Sequence, residues 1–340
     1  MTEGAKVCYA EGRSTSTSAM VFMMDSLRAS EAASGAAHAH QRMTTEQKDI
    51  SVCICAFQRP GLLQKLLERL EQQQTNGRFT ISVVVTDNDS RRSSQRVVAE
   101  FAATSRIAVT YSCEPRQNIA LARNEALKHA AGDFVAFIDD DEFPENDWLA
   151  AMLEACEKYQ AAGVLGPVRP HFEEPPPRWI VDGRFCERPE HRTGRVMEWE
   201  ECRTGNLLFR RRILDGVEEV FKPEFGSGGE DKDFFMRVTH LGHVFRWCNE
   251  GVVYETVPKE RWKRSYMLKR AMLRGRNTLK HPIGRVGLVA RSFIAAPVYL
   301  MVLPFALMLR QHVFMKYCIK FCDHAGRILA LLGLNPVRER

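Results

Sequence analysis

The chain has 340 residues, of which 45% are hydrophobic and 26% are charged, with a net charge of +6. Most of such a chain can bury a core and remain soluble, which excludes a wholly disordered protein. The ten cysteines are spread along the chain. This spacing argues against a disulfide framework and predicts a reducing compartment, hence cytosolic chemistry.

The first segment, residues 1–48, has no sustained hydrophobic period and is rich in Ser, Thr, Ala and Gly. Its short apolar run, Ala19–Met24, is too short and too far from the terminus for the core of a signal peptide. We interpret residues 1–48 as a disordered tail or as the product of an early start codon. Met43 would then be a plausible true start.

From residue 49 the pattern alternates between short apolar runs and helical periods. The predicted strands are Ile50–Ala56, Ile81–Thr86, Ile107–Ser112, Phe134–Ile138 and Gly163–Arg169. One helix begins at Pro60, and a second covers Asn118–Ala131 and is closed by Gly132. This alternation predicts an α/β fold with a mostly parallel sheet and helices on both faces.

The second half is less regular. The proline-rich and charged segment His171–Arg195 predicts a long surface loop. A helix is expected over Asp231–Leu241, and strands over Gly205–Phe209, Gly242–Cys248 and Gly251–Val257.

The C-terminal tail contains the one membrane-like segment. Phe293–Leu309 is uncharged but has two prolines and falls short of the roughly 20 residues that span a bilayer. A single span, an in-plane or re-entrant segment, and a soluble docking helix all remain open. Lys259–Arg285 carries ten Lys or Arg and one acid, and Val313–Leu334 is a candidate amphipathic helix. A basic block before an apolar run favours an anionic membrane surface over nucleic acid as the partner.

Two predicted strands end in acids. Asp87-Asn88-Asp89 follows one, and Asp139-Asp140-Asp141-Glu142 follows another. Ligands of parallel α/β sheets bind at the carboxyl ends of the strands. Adjacent carboxylates repel one another unless a cation neutralises them, and hard divalent ions prefer such ligands. The alternative is a solvated acidic turn that caps a helix.

A third constellation combines glycines with acids. Phe225 to Arg237 contains three glycines within four residues, followed by Glu230, Asp231 and Asp233 at the start of a helix. One of these acids could act as a general base. Ordinary helix capping is the alternative, because acids are favoured at helix N-termini.

Five segments together resemble glycosyltransferase family 2, most closely the bacterial succinoglycan-type exopolysaccharide glucosyltransferases. They are Ser51–Pro60, Asp87–Ser90, Asn118–Asn124, Phe137–Glu142 and Gly228–Asp231. The resemblance implies the GT-A fold over residues 49–282, followed by a membrane-associated helical tail over residues 283–340. Phe57-Gln58 departs from the commoner Tyr-Asn of the family.

The resemblance also implies roles for individual residues. Asp231 would be the catalytic base and Glu230 would orient the acceptor. Asp141 would hold Mg²⁺ or Mn²⁺. The remaining implied donor-binding residues are Ala56, Phe57, Arg59, Asp87, Asp89, Asn118, Arg123, Asp139 and Asp140.

The implied reaction is the inverting transfer of one sugar from a nucleotide-diphosphate sugar, UDP-linked by resemblance, to a lipid-linked or saccharide acceptor. It would serve cell-surface or exopolysaccharide synthesis at the cytoplasmic face of the inner membrane, with the enzyme peripheral or anchored by one span. A polyprenyl-phosphate glycosyltransferase and a non-catalytic binding protein of the same fold are the alternatives. No nucleic-acid partner is expected.

Overall fold

The computed structural model describes residues 47–226, 228–280, 285–334 and 337. The predicted N-terminal tail therefore lies almost entirely outside the described residues, and Ser227 of the glycine-rich segment also lies outside them.

Within the described residues, ten strands form two sheets. In chain order they are β1 (Lys48–Ala56), β2 (Phe79–Asp87), β3 (Ala108–Cys113), β4 (Phe134–Phe137), β5 (Glu142–Pro144), β6 (Gly163–Leu165), β7 (Val168–His171), β8 (Leu207–Arg210), β9 (Phe245–Trp247) and β10 (Val253–Thr256). The main sheet has the order β3-β2-β1-β4-β8-β6-β9, and the small sheet has the order β5-β10-β7. In the main sheet only β8 runs antiparallel to its neighbours. The predicted mostly parallel sheet is confirmed.

Nine α-helices accompany these strands within the described ranges. They are α1 (Pro60–Glu71), α2 (Gln95–Ala102), α3 (Ile119–His129), α4 (Trp148–Lys158), α5 (Arg178–Gly183), α6 (Glu230–His240), α7 (Arg264–Asn277), α8 (Arg285–Leu307) and α9 (Gln311–Leu331). A 3₁₀ turn over Lys259–Trp262 precedes α7.

Both faces of the main sheet are covered, which explains why its central strands read as continuous apolar runs. Along β1, Ile50, Val52 and Ile54 belong to one apolar cluster, and Cys53 belongs to the cluster on the other face. The four fully buried leucines of α1 pack on the first cluster. Full burial of one such side chain contributes about 1.5–3 kcal/mol.

The single strand predicted over Gly163–Arg169 is wrong, because this segment forms two strands in different sheets. β6 ends at Leu165 and β7 begins at Val168. The chain bends at Gly166, which packs so closely on Asn206 and on the carbonyl of Gly251 that a Cβ would collide with both. Apolar periodicity alone does not reveal such a bend.

The predicted closure of α3 by Gly132 is also wrong. The helix ends at His129 with Ala130 in an extended conformation, and Gly132 lacks the positive φ of a helix-ending glycine. A Cβ on Gly132 would lie 2.7 Å from the carbonyl oxygen of Asp49. The glycine is therefore required by its close approach to β1.

The segment His171–Arg195, predicted as a long surface loop, contains the short helix α5.

The C-terminal tail consists of α8 and α9. The apolar stretch of α8, Val286–Leu307, is 22 residues long, and its length and composition would allow it to cross a membrane. This stretch is longer than the predicted run because the helix begins before Arg291. Both prolines lie inside the helix.

Candidate active site

Strand order brings the two acidic turns together. β2 and β4 both pair with β1 in parallel, so the carboxyl ends of all three strands lie at one edge of the main sheet. Asp87 ends β2, and Asp139 follows β4 after one intervening residue. The clusters are 52 positions apart in sequence, from Asp87 to Asp139, yet only one strand separates them.

The Asp87 side chain is engaged within its own turn. Its fully buried carboxylate accepts hydrogen bonds from the backbone N–H of Ser94 (2.7 Å), the N–H of Asp89 (3.1 Å) and the hydroxyl of Tyr111 (3.3 Å). Asp87 therefore shapes the turn. Asp89 Oδ2 is buried and has no hydrogen-bond partner among the described residues.

Asn118 also acts within the protein. It is the N-cap of α3, where its Oδ1 accepts from the N–H groups of Ala120 and Leu121. Its Nδ2 donates to the carbonyl of Pro223 at 2.9 Å, and its backbone N–H donates to Asn88 Oδ1 at 3.0 Å. Asn118 therefore ties the Asp87 turn to the segment before the glycines.

The start of α1 contacts the second acidic cluster. Asp140 accepts from the backbone N–H of Phe57 (2.9 Å) and from Arg59 Nη1 (2.7 Å). Ala56 lies beside Phe57, and its carbonyl accepts from the N–H of Asn88 (2.8 Å). Burial raises the pKa of Asp140 to about 7, although Arg59 opposes this change.

Asp141 lies between two arginines. Its Oδ2 is 2.9 Å from Arg59 Nη1 and 2.8 Å from Arg261 Nη2. Arg261 also pairs with Glu255 on β10. Neither Arg261 nor Glu255 was predicted for the site, because only the pairing of β10 with β5 in the small sheet brings them close to Asp141. The Arg261-Trp262 pair in a basic segment was the available sequence signal for Arg261.

Glu142 is a further acid of the site. It is fully buried, its Oε2 accepts from the N–H of Asp139 (3.1 Å), and Arg188 Nη1 lies 3.8 Å away. Its Oε1 has no hydrogen-bond partner within the described ranges. Burial and the carboxylate of Asp139 raise the pKa of Glu142 well above its usual value. Arg188 was missed because it lies in the segment predicted as a surface loop.

Arg123 joins the acidic cluster to α6. Its buried guanidinium pairs with buried Glu230, lies 3.9 Å from Asp139 and stands over the ring of Phe221. The Asp139 side chain keeps 45% of its surface exposed and can meet a ligand. The positive charge of Arg123, by contrast, is balanced within the protein by Asp139 and Glu230.

The first turn of α6 separates the three acids of the glycine-rich segment. Glu230 faces inward to Arg123, and Asp233 forms an ion pair with Arg237 at 2.7 Å. Asp231 is partly exposed and has no ion pair among the described residues. Gly228 and Gly229 adopt φ of 124° and 107°, which explains the glycines before the helix.

The residues present fit a divalent cation that completes its coordination with ligand oxygens. Within the described ranges no three His, Cys, Asp or Glu side chains enclose a metal site. However, Asp140, Asp141 and Glu142 supply adjacent buried carboxylates, and Glu142 Oε1 accepts no hydrogen bond from the described residues. Mg²⁺ is commonly bound by one or two carboxylates together with phosphate oxygens. Asp141 could bind the cation in this way if Arg59 and Arg261, which now pair with it, moved to contact the phosphate oxygens.

Comparison with known proteins places this geometry in a family. The model for glycosyl transferase family 2 matches residues 51–217. The succinoglycan biosynthesis protein ExoM of Rhizobium meliloti (strain 1021) is 32% identical over 311 residues, covering 87% of this chain and 97% of the relative. An uncharacterized glycosyltransferase, YfnE of Bacillus subtilis (strain 168), is 33% identical over 190 residues, covering 53% of this chain and 47% of the relative.

One solved structure has the same fold. The mannosyltransferase PcManGT from Pyrobaculum calidifontis, in complex with GDP-Man and Mn²⁺, aligns with a TM-score of 0.61 and 20% identity. The alignment covers 86% of this chain and 89% of the mannosyltransferase.

Proposed function

This chain belongs to glycosyltransferase family 2 and has the GT-A fold, and from that premise we propose an inverting enzyme that transfers one sugar per encounter. The donor is a UDP-linked sugar, and the acceptor is a lipid-linked or free saccharide. The enzyme serves exopolysaccharide synthesis, as the name of the relative from Rhizobium meliloti suggests.

One observation carries this proposal. The acidic cluster at the end of β4 and the partly exposed Asp231 at the start of α6 lie on the two sides of Arg123, which contacts both Asp139 and Glu230. A donor diphosphate at the acidic cluster would therefore be close to the partly exposed carboxylate of Asp231 at α6. An inverting transfer requires this pairing of a leaving-group site with a general base.

Asp231 is the proposed base. The N-terminus of a helix stabilises an ionised carboxylate, and an ionised carboxylate can accept the proton of the acceptor hydroxyl. Attack on the anomeric carbon from the face opposite the leaving diphosphate inverts that centre. An α-linked donor then gives a β-linked product. Glu230, paired with Arg123, positions the turn that carries Asp231.

Donor binding is assigned to the edge formed by the three strands. Asp139, whose side chain is 45% exposed, would face the ribose, and Asp89 would face the nucleobase. Asp141 would hold Mg²⁺ or Mn²⁺. When bound there, such an ion stabilises the negative charge that develops on the leaving diphosphate. Arg59 and Arg261 form ion pairs with Asp141, and the same two guanidinium groups would also neutralise phosphate oxygens of the donor.

We assign residues 49–282 to the catalytic domain and residues 283–340 to a membrane-associated tail at the cytoplasmic face. All nine cysteines among the described residues are free. The apolar helix α8 supports membrane association.

The test is a panel of nucleotide sugars offered to the purified full chain with Mn²⁺, followed by measurement of nucleoside diphosphate release and of labelled product. Release of UDP with β-linked product on a saccharide-bearing lipid supports the proposal. Transfer onto polyprenyl phosphate alone would make the protein a polyprenyl-phosphate glycosyltransferase. Donor binding without turnover on any acceptor would leave a binding protein of the same fold.

A further inference from the structure

Exposed apolar side chains are concentrated in the C-terminal tail. Of the 17 large hydrophobic side chains that are exposed among the described residues, 13 lie between residues 286 and 334. Exposed apolar side chains that cluster in this way mark an interaction site. They are Val286, Phe293, Ile294, Val298, Leu300, Met301, Phe305, Leu307, Met308, Leu309, Leu331, Leu332 and Leu334.

On α8 these side chains occupy one half of the helix. Ile294, Met301 and Phe305 are 65–73% exposed and recur at helical spacing. Ser292 and Ala306 lie on the opposite half and are buried. The helix therefore has an apolar outer face and a separate inner face that is covered by the protein.

The inner face of α8 packs along α9 in antiparallel orientation. Ser292 Oγ lies 3.0 Å from His324 Nδ1, and the ring of Tyr299 lies 5.9 Å from Tyr317 and 5.5 Å from His324. Arg327 Nη1 donates to Ser292 Oγ at 3.4 Å. The two helices thus form a hairpin, hereafter the α8–α9 hairpin (residues 285–331).

The α8–α9 hairpin is fastened to α7. Arg274 makes two hydrogen bonds to buried Asp323, at 2.9 Å and 2.6 Å. Gly275 and Gly326 allow the backbones of α7 and α9 to approach so closely that a Cβ on either would collide with the other helix. Because α7 follows directly on Arg261 of the active site, α9 has a fixed position beside the catalytic domain.

This packing is incompatible with insertion of α8 across a bilayer. A span over Val286–Leu307 would carry the adjacent half of α9 into the hydrocarbon, together with exposed Lys316 and Lys320. Charged side chains at that depth are strongly disfavoured. Opening the α8–α9 hairpin instead would expose Ser292, His324 and Arg327 to lipid.

We propose that the α8–α9 hairpin lies in the plane of an anionic bilayer, with the outer half of α8 buried among the acyl chains. Exposed cations on the two helices that pack with α8 or with α9 fit anionic headgroups. Lys263, Arg264, Lys269 and Arg270 are exposed on and before α7, and Lys316 and Lys320 are exposed on α9. The inference rests on the proposed membrane association and adds its geometry. The active site then stands beside the headgroups, within reach of a lipid-linked acceptor.

The first experiment measures co-sedimentation of the full chain with vesicles of phosphatidylcholine and phosphatidylglycerol. The double variant Ile294→Ser/Phe305→Ser should lose roughly tenfold or more in binding, because both side chains leave the acyl region. Leu241→Ser is the matched control, since Leu241 is 67% exposed but lies at the C-cap of α6, outside the hairpin, and it should bind like the parent protein. Parent-like binding by the double variant would overturn the proposal.

The second experiment locates the C-terminus in cells with fused reporters. An in-plane hairpin leaves the C-terminus in the cytoplasm, so a fluorescent-protein fusion should be bright and an alkaline phosphatase fusion inactive. An active phosphatase would prove a span and overturn the proposal. Transfer to a soluble saccharide acceptor is measured in parallel for the parent and the double variant. Absence of transfer by the parent would contradict the proposed function, whereas a parent that transfers sugar but does not bind the vesicles would contradict only the inferred hairpin orientation.

Discussion

Arg261 Nη2 lies 2.8 Å from Asp141 Oδ2, although the two residues are 120 positions apart. The 3₁₀ turn that carries Arg261 leads directly into α7, to which the α8–α9 hairpin is fastened. The acid that would hold the metal is thus neutralised by an arginine at the junction of the catalytic domain and the tail. Arg59 contributes a second positive charge to the same oxygen.

The first prediction concerns this contact. Arg261→Gln should raise the affinity for Mn²⁺ alone by up to about tenfold, because a cation that competes for Asp141 is removed; tenfold corresponds to about 1.4 kcal/mol. The KM for the nucleotide sugar should rise, because a charge near the diphosphate is lost. Calorimetric titration with Mn²⁺ and donor kinetics measure the two effects. Arg169→Gln, which breaks an ion pair with Glu190, is the control and should change neither value.

Asp141 itself provides the second prediction. Asp141→Ala should abolish turnover while the thermal unfolding transition remains cooperative. Activity above about a tenth of the parent value, a loss of less than about 1.4 kcal/mol in transition-state stabilisation, would show that Asp141 is not the metal ligand. Circular dichroism of the same preparation separates loss of the ligand from loss of the fold.

The third prediction separates Asp231 from Glu230. Asp231→Asn preserves shape but removes the proton acceptor, so sugar transfer should fall by roughly 10² to 10⁴ with little change in donor binding. Single-turnover kinetics and donor titration measure these quantities.

Glu230→Gln should behave differently, because it leaves Arg123 buried without its main partner. Breaking a buried ion pair costs about 3–5 kcal/mol, so the free energy of unfolding should fall markedly, in contrast to Asp231→Asn. If Glu230→Gln is stable but inactive while Asp231→Asn transfers sugar normally, the two roles are exchanged.

The fourth prediction concerns pH. The folded-state pKa of Asp140, about 7, lies above its ordinary value of 3.8. Ionised Asp140 therefore destabilises the folded state, by an amount that grows between about pH 4 and pH 7 and is absent at lower pH. In the presence of a chelator, Asp140→Asn should gain stability relative to the parent over this window, by up to about 4 kcal/mol. Urea unfolding across the pH range provides the measurement.

Asp215→Asn is the control for the pH experiment, since Asp215 is exposed and outside the site. The difference in the free energy of unfolding between Asp215→Asn and the parent should not change across the pH range. A flat difference for Asp140→Asn as well would mean that Asp140 ionises in the folded protein as it does in the unfolded chain.

Local features of the sequence were sufficient for much of the fold. The apolar runs of β1, β2 and β4 predicted those strands, because burial of a strand is visible in its residues, and Pro60 predicted the start of α1. The predicted bounds of β3 and α6 lie within one residue of those observed. The acids after β2 and β4 could be recognised as ligand-facing, because they directly follow buried strands.

The tertiary structure decided which of those acids remain available and what they contact. Asp87 is engaged by Ser94 and Tyr111, and Asp141 by Arg261, because strand order and the small sheet bring distant segments together. No local period encodes such partners. The orientation of the tail was left open for the same reason. Its composition allowed a span or an in-plane helix, and our proposal of an in-plane hairpin rests on the packing of α8 on α9, and of α9 on Arg274.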